Sequence, residues 1–504
     1  MGSYYQRFKA RIGIVCDTIL FESLSAAAEF VYLPRAEWRG RLDGLDLVLV
    51  TSVWRGLCNE DWLGVGRVGD PIRAELLDLV AEARRRGIPT VFYSKEDPPN
   101  YRVFLDFAKA CDHVFTSAEE MEPRYREDCG HDRVATLTFC VNPEHDNPIG
   151  CMREPRQAGA VFSGSWMAKY PRRCHDLQVL LSGVRKSGAG LMIVNRNSYR
   201  PDHPKYLFPA EFSRFIESAR PHAELKALHQ TFTWSLNVNS VMESRTMFAA
   251  RCYELLAAGC PVISNFSVGI LELLPEVVLA NTAGFVRRFI RKTTPGSILI
   301  RRAAGIRRAF DGNTCFERVA KVLAAIGRSD AVPQRSVAVV VAEKTARLQE
   351  MFDRQTFAGR CLFTMAEFMS ESAEGFDYVA DWRADEEYGP YYLQDLIDVF
   401  KYTDADYATD AGPAYEYTAV RTLGRMVVRR GVEPRRGFSV PRSATLAETA
   451  RVIASGHEVL ALTEWHPSPQ MPTVWARALK CCRENGLLYT LRRILFGRQS
   501  RGRQ

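Results

Sequence analysis

Strand-sized apolar runs alternate with amphipathic helical patterns over the first 140 or so residues of the chain. The segments between the runs carry apolar residues at helical spacing, as in RAELLDLVAEARRRG, YRVFLDFAKAC and AEEMEPRYREDCG. The runs themselves are RIGIVC, LDLVLVTS, TVFYS, HVFTS and VATLTF. Such alternation is typical of a doubly wound parallel sheet with helices on both faces. The pattern therefore predicts an N-terminal α/β domain over residues 1–150.

The same alternation restarts after a polar, proline-containing linker at Asn142 to Gln157. The next strand-like runs are AVFSGS, LMIVN, TWSLNVN and PVISN. Pro171 suits the first turn of a helix, so we expect a helix from Pro171 to Gly188. These elements predict a second α/β domain over residues 151–330.

The remaining third of the chain is less regular. A second linker is predicted at Ser329 to Arg335, and the run VAVVVA then opens a third α/β region over residues 331–441. Residues 442–504 are rich in helix formers and arginine and end in LRRILFGRQSRGRQ. We predict a helical basic appendage there.

Composition narrows the class of protein. Hydrophobic residues are 46% and charged residues 25% of the chain, as in folded globular proteins. The apolar runs are too short for a signal peptide or a membrane span. The net charge of +8 lies mainly in arginine clusters, which suit solvated helix faces, a phosphate-bearing ligand or an anionic membrane surface. Nucleic acid is disfavoured, because aromatic residues do not interleave with the basic ones.

The cysteine pattern favours a reducing compartment. The 13 cysteines are scattered, apart from Cys481 and Cys482, and form no CxxC pair. We therefore expect free thiols and a cytoplasmic protein, with the basic tail as a candidate contact to the inner membrane face. His457 and His466 have no nearby residues that would complete a metal site.

The stretch SVMESRTMFAARCYELLAAGCPVISN predicts a strand end, a helix and the next strand. Ser244 is a plausible N-cap, and the helix should run from about Arg245 to Ala258 and end at Gly259. A helical wheel separates two stripes. The core stripe holds Phe248, Cys252, Leu255 and Leu256, and the adjacent stripe holds Met247, Arg251, Glu254 and Ala258.

Arg251 and Glu254 therefore lie at the edge of the core, at the carboxyl end of the predicted sheet. Ligands bind at that edge in open α/β sheets. A plain surface ion pair three residues apart on the helix is the alternative.

A second loop points to the same sheet edge. In VFSGSWMAKYPRR, a strand leads through Ser163, Gly164 and Ser165 to a helix start. Lys169, Arg172 and Arg173 stand beside that start. Backbone amides at a glycine turn, with cations nearby, suit a diphosphate.

Together these segments resemble the CgeB-type spore-protein glycosyltransferase family. The likeness spans about Arg11 to Gly327, and its most specific part is SRTMFAARCYELLAAGCPVISNFSVGILELLP. FSGSWMAKYPRR and the segment from YSKEDPPNY onward carry the rest. The resemblance implies the GT-B fold, which has two Rossmann-like domains, and a bacterial, hexosyltransferase-like enzyme of cell-surface glycan synthesis.

The resemblance also implies a nucleotide-sugar donor in the second domain. Glu254 matches the glutamate that receives the donor ribose hydroxyls, and Thr246 and Met247 would lie beside the diphosphate. The remaining implied contacts are Ser163, Gly164, Lys169, Arg172 and Arg251. Cations and the helix dipole would stabilise the leaving diphosphate, so no metal is required. A glycan, a lipid-linked sugar or another hydroxyl acceptor would enter from the first domain.

The first domain supplies a candidate base in YSKEDPPNY. Glu96 and Asp97 follow the strand TVFYS, and either carboxylate could deprotonate an acceptor hydroxyl in an inverting reaction or simply cap the next helix. Trp54, in TSVWRG, suits sugar stacking or a place in the core. Many retaining GT-B enzymes carry a second glutamate eight residues before the ribose-binding one. Here that position is Thr246, so the stereochemistry stays open.

The third region is similar to the start and the metal-motif segment of GT-A, family-2-type glycosyltransferases. Where that family has Asp-x-Asp, this chain reads Arg383-Ala384-Asp385-Glu386-Glu387. We therefore expect a smaller, degenerate region kept for packing or acceptor contact. A divalent-metal site at Asp381, Asp385 and Glu387 is the alternative.

Two other functions remain open at this point. A surface-assembly scaffold could keep the fold without the reaction, as the missing glutamate and the eroded motif would allow. A nucleotide-sugar epimerase could use the same donor site. Failure to bind any nucleoside diphosphate would support the scaffold. Release of nucleoside diphosphate only when an acceptor is present would argue against the epimerase.

Overall fold

The computed structural model describes residues 2, 4–154, 156–201, 203–370, 375–422 and 424–445. The described chain forms two compact units, one of residues up to 149 together with 309–445, and one of residues 150–308. Residues 309–330, which we predicted to end the second domain, belong to the first unit. Most of the predicted appendage, with His457, His466 and the basic tail, lies outside the described residues.

The first unit opens with a six-stranded sheet, in the order β2-β1-β3-β4-β5-β6, in which every pairing is parallel. Its central strands are buried along their whole length, as parallel strands between helical layers must be. The strands are β1 (Arg11–Val15), β2 (Glu29–Tyr32), β3 (Leu47–Thr51), β4 (Thr90–Ser94), β5 (His113–Thr116) and β6 (Val134–Thr136). The helices are α1 (Thr18–Leu24), α2 (Pro71–Arg85), α3 (Tyr101–Ala110) and α4 (Glu122–Cys129).

The second unit contains another six-stranded parallel sheet, in the order β12-β11-β10-β7-β8-β9. The strands are β7 (Gln157–Gly164), β8 (Gly190–Asn195), β9 (Ile216–Glu217), β10 (Phe232–Asn237), β11 (Val262–Ser264) and β12 (Val278–Leu279). The helices are α5 (Pro171–Ser187), α6 (His222–Gln230), α7 (Arg251–Ala257), α8 (Val268–Leu273), α9 (Ala283–Lys292) and α10 (Pro295–Phe310).

The core of the second unit lies between this sheet and the helices α5 and α9. Phe162, Leu180 and Trp234 are buried in one cluster with Val286. Gly183 of α5 lets the two helices approach, because a Cβ there would stand 2.4 Å from the Val286 side chain. Pro171 begins α5 as predicted, and Gly188 ends it in the left-handed conformation that glycine tolerates.

The prediction of a helix from Arg245 was wrong in its first turns, since α7 begins only at Arg251. The Oγ of Ser244 accepts hydrogen bonds from the amides of Thr246 and Met247, at 3.4 and 3.0 Å, and Asn239 Oδ1 accepts one from the amide of Ala249. These contacts satisfy backbone donors of the segment before Arg251, which forms a loop. The predicted helix end holds, and the four predicted core residues are buried.

The rest of the first unit consists of α11 (Cys315–Ala325) and a third, mixed sheet. The N-terminal segment joins both parts, because Tyr5 stacks on Phe316 of α11 and the amide of Tyr4 donates to the carbonyl of Phe400. The sheet order is β14-β13-β15-β18-β16-β19-β17. The strands are β13 (Val337–Val341), β14 (Arg360–Thr364), β15 (Tyr378–Trp382), β16 (Tyr407–Thr409), β17 (Glu416–Thr418), β18 (Met426–Arg429) and β19 (Gly437–Ser439). The helices are α12 (Ala346–Asp353), α13 (Met365–Ser370), α14 (Tyr392–Tyr402) and α15 (Arg442–Thr445).

The predicted fold class, two Rossmann-like domains and a third α/β region, is confirmed. Helical crossovers connect neighbouring strands in both parallel sheets. The carboxyl ends of all strands in a sheet therefore lie at the same edge. The likeness of the third region to GT-A enzymes stays a prediction. The sequence analysis missed β2, β9 and β12, which are short strands at or near the sheet margins.

Candidate functional site

The loop after β7 lies at the carboxyl edge of the second sheet and is held by polar contacts on both sides. Ser163 Oγ lies 2.8 Å from Nε2 of the buried His229, whose Nδ1 lies 2.7 Å from Ser235 Oγ. Asn197 donates a 2.8 Å hydrogen bond to Ser165 Oγ. The hydroxyl of Ser163 is thus occupied within the protein. Gly164 is buried at the end of β7, and residues 165–167 that follow it are half-buried.

His229 was not identified from the sequence. Burial and the charge of Arg251 lower its pKa to about 3, so the imidazole is neutral at physiological pH. A neutral ring has one donor and one acceptor nitrogen, which matches its two serine partners. His229 therefore ties the end of β7 to β10 without adding charge to the site.

Three arginines converge on the same edge. Arg173 of α5 donates to the carbonyl of Ser165 at 2.9 Å, Arg196 directly follows β8, and Arg251 begins α7. Burial and the charge of Arg251 lower the pKa of Arg173. Burial also lowers the pKa of Arg251, where Arg196 acts in the same direction and the carboxylate of Glu254 opposes it. The cations thus repel one another, with Glu254 as the opposing charge.

Glu254 stands one helical turn after Arg251, in the first turn of α7. Its side chain is 16% exposed, and Oε2 lies 3.9 Å from Nε2 of His222. Thr246 is buried and Met247 half-buried in the loop before the helix, not on the helix as predicted. The predicted neighbours Arg251 and Glu254 therefore do share the sheet edge.

The two cations favoured by the sequence lie at the start of α5. Lys169 and Arg172 are both exposed, and the Lys169 ammonium stands 4.6 Å from the ring centre of Tyr170. Arg173, the next residue, turns toward the loop instead. Their donor-binding roles stay predictions.

In the first domain the two candidate bases have different surroundings. Glu96 is 34% exposed at the carboxyl end of β4, with its Oε2 accepting from Asn100 Nδ2 at 3.3 Å. Asp97 is fully buried, and it accepts hydrogen bonds from Thr116 at 2.6 Å and Tyr125 at 3.3 Å. Burial raises the pKa of Asp97 to about 6 despite those hydrogen bonds. Only Glu96 is open to a substrate hydroxyl.

The sequence analysis also missed two residues beside Glu96. Lys95 Nζ lies 2.9 Å from Oδ2 of Asp17 and 3.8 Å from Oε1 of Glu96. Asp17 follows β1, and its carboxylate accepts hydrogen bonds from the amides of Trp54 and Arg55 in the loop after β3. Both residues follow apolar strand-like runs in the sequence, and this position could have identified them as candidate site residues.

Arginines neutralise the acidic segment of the third region. Arg383 pairs with Asp385 at 3.2 Å, and Arg425 pairs with Glu386 at 2.9 Å. Arg425 also makes a two-point contact with the buried Asp410. Asp381 and Glu387, from the alternative metal set, are exposed. Across the part of the chain that the structure describes, no group of three or more acidic, histidine or cysteine residues could hold a metal ion.

No helix among the described residues is long and apolar enough to cross a bilayer. The cysteines in the described part of the chain are free thiols, most of them buried. Of the cysteines named from the sequence, Cys481 and Cys482 lie outside the described residues.

Comparisons with known proteins gave structural likenesses only. No family model matches the chain, and no curated protein matches it. T4 phage BGT, solved with its UDP-glucose substrate, has a TM-score of 0.43 at 9% identity, covering 63% of this chain and 100% of that one. Anabaena HepE, solved with UDP and glucose, has a TM-score of 0.40 at 11% identity, covering 62% and 91%.

A mutant of S. aureus TarM, solved with fondaparinux, alpha-GlcNAc-glycerol and UDP, has a TM-score of 0.38 at 9% identity. That likeness covers 56% of this chain, which spans only 55% of the TarM chain. At such identities and TM-scores the likenesses carry no argument about the site or the reaction. The CgeB-type resemblance stays a prediction, and the functional argument rests on this chain's own residues.

Proposed function

We propose that the protein is a glycosyltransferase that binds a nucleotide-sugar donor at the carboxyl edge of the second sheet and transfers the sugar to a hydroxyl acceptor. The observation that carries the proposal is the group of Arg173, Arg196 and Arg251. Arg173 and Arg251 are half-buried and Arg196 is exposed. Repulsion among these cations costs free energy in the empty site, and a bound anion removes that cost.

The geometry suits a nucleoside diphosphate in particular. The guanidinium group is a bidentate partner for phosphate oxygens, and Arg173 reaches the half-buried loop that follows Gly164. Glu254, a turn away from Arg251, supplies the carboxylate that two adjacent ribose hydroxyls need. A diphosphate and a ribose are covalent neighbours in every nucleotide-sugar donor, so one ligand satisfies both groups.

The reaction follows from these roles. The bond between the sugar anomeric carbon and the diphosphate oxygen breaks, and the arginines stabilise the negative charge that develops on the leaving diphosphate. The acceptor oxygen forms the new bond to the anomeric carbon. In an inverting displacement Glu96 takes the proton of the acceptor hydroxyl.

We expect Glu254→Gln to weaken nucleotide binding about tenfold, because an amide accepts weaker hydrogen bonds from the ribose hydroxyls than a carboxylate does. The measurement is a thermal-shift screen of the full chain against UDP, GDP, dTDP, ADP and CMP, followed by calorimetric titration of the best nucleotide. Glu224→Gln, on the exposed surface of α6, is the matched control.

A shift that one nucleotide produces in the wild type and in Glu224→Gln, and that is reduced in Glu254→Gln, supports the donor site. Equal affinity in Glu254→Gln would remove Glu254 from it. A flat response to every nucleotide would instead favour the non-catalytic scaffold.

Removal of divalent metal is expected to leave nucleotide binding and turnover unchanged, because arginines supply the positive charge that a metal ion would otherwise bring to the diphosphate. The check is the same titration in EDTA and in excess Mn²⁺. A nucleotide shift that needs Mn²⁺ and disappears in Asp385→Asn would contradict this prediction and assign the metal to the third region.

A further inference from the structure

The loop between β3 and α2 is anchored where three strands of the first sheet end. Asp17, after β1, accepts hydrogen bonds from the amides of Trp54, Arg55 and Gly56 at 3.2, 2.9 and 3.2 Å. Burial alone would raise the pKa of Asp17, but Lys95 and these amides lower it overall, so the carboxylate is ionised at neutral pH. The anchor fixes Trp54 beside the end of β4.

Trp54 is packed on one side and open on the other. Its ring meets Phe104 of α3 edge-on, with ring centroids 5.1 Å apart at 82°. Gly66 lies against the ring, since a Cβ there would stand 2.6 Å from Cζ3. Even so, 36% of the residue is exposed. Contacts with neighbouring residues hold this aromatic side chain in place, and part of it remains open to solvent. Such a side chain offers a ligand a rigid apolar surface and loses little conformational entropy on binding.

Asp17 connects the backbone of Trp54 to charged groups at the end of β4. Lys95 links Asp17 to Glu96, with its Nζ 2.9 Å from the first carboxylate and 3.8 Å from the second. Asn100 holds the other oxygen of Glu96. A hydroxyl group both donates and accepts hydrogen bonds. A carboxylate can accept from it and an ammonium group can donate to it, so the pair suits a hydroxyl ligand. The loop that carries Trp54 and the charged pair of Lys95 and Glu96 thus share one anchor, Asp17, at this edge of the sheet.

From this juxtaposition we propose that Trp54, Lys95 and Glu96 form a saccharide-binding acceptor site, so that the acceptor hydroxyl belongs to a sugar ring. The inference rests on the proposed function and names the substrate class for its acceptor side. A pyranose has an apolar C–H face for Trp54 and equatorial hydroxyls for Glu96 and Lys95. An aliphatic alcohol or a protein serine would leave the aromatic platform unused.

The test uses the full chain and saturation-transfer NMR with methyl β-glucoside, methyl α-mannoside and N-acetylglucosamine, with glycerol as the acyclic polyol. We expect at least one sugar, and not glycerol, to receive saturation at its ring protons. Trp54→Ala should weaken binding of that sugar about tenfold, and Trp54→Phe less, because phenylalanine keeps part of the aromatic contact. Val68→Ala, in the same loop and 87% exposed, should bind like the wild type.

Nucleotide binding is measured in the same samples. Nucleotide binding without binding of any of the three sugars, or sugar binding that is equal in Trp54→Ala and the wild type, would overturn the acceptor site and leave the donor proposal standing. Sugar binding that depends on Trp54 without nucleotide binding would support the saccharide site and overturn the glycosyltransferase proposal. If Trp54→Ala lowers the melting temperature, the comparison of Trp54→Phe with Val68→Ala decides.

Discussion

Glu96→Gln is expected to lower kcat by a factor of about 10² to 10⁴ and to leave the donor KM unchanged, as loss of a general base does. Glu96 is the exposed carboxylate at the end of β4, fixed by Asn100 and adjacent to Lys95. The amide keeps the shape of the side chain and loses the ability to accept a proton. The measurement is steady-state release of nucleoside diphosphate, with the nucleotide sugar and the saccharide that bind in the experiments above.

Asp97→Asn is the matched control, one residue along the chain. Asp97 is fully buried, with both carboxylate oxygens hydrogen-bonded to Thr116 and Tyr125, so we expect kcat to stay within a few-fold of the wild type. A drop as large as that of Glu96→Gln would reverse the assignment. A change below about tenfold in Glu96→Gln would contradict an inverting mechanism with this base.

Asp97→Asn is also expected to change how the free energy of unfolding depends on pH. The folded-state pKa of Asp97 is about 6, because burial raises it above the ordinary aspartate value of about 3.9. The stabilisation that this raised pKa provides is fully present below about pH 4 and is lost as pH rises through 6. Asparagine is neutral at every pH. The free energy of unfolding of Asp97→Asn should therefore equal that of the wild type near pH 4 and exceed it by about 3 kcal/mol above pH 7. Urea unfolding at both pH values checks this.

Arg251→Met should change stability and binding in opposite directions. In the empty protein the substitution removes a half-buried cation that Arg173 and Arg196 repel, so the melting temperature is expected to rise. Loss of a charge-assisted contact to the diphosphate should weaken nucleotide binding roughly 10- to 100-fold. Melting curves and calorimetric titrations of one preparation measure both effects.

The control for this substitution is Arg288→Met, an exposed arginine of α9 in the same unit. It removes the same charge and should change neither quantity, since exposed charges contribute little. A lower melting temperature in Arg251→Met, combined with unchanged nucleotide affinity, would make Arg251 a structural residue paired with Glu254. The donor site would then have to lie elsewhere in the second unit.

The strand and helix pattern was predictable because local sequence carries it. Period-two and unbroken apolar runs marked the central strands of both parallel sheets, and Pro171 and Gly188 marked the ends of α5 through their own backbone preferences. The pattern failed where side-chain acceptors that precede the segment bond its backbone amides. Residues 245–250 have a helical pattern, yet Ser244 and Asn239 capture their amides in a loop.

Sequence by itself thus determined the two doubly wound domains, the sheet edge at which polar residues follow strands, and the candidates Glu96, Arg251 and Glu254. Only the tertiary structure decided which candidates are usable and which partners they have. Burial of Asp97 depends on Thr116 and Tyr125, and the contact of Lys95 with Asp17 joins residues 78 positions apart. Parallel strands bring such residues to one edge only after the crossover helices are packed, so their pairing is a property of the folded sheet.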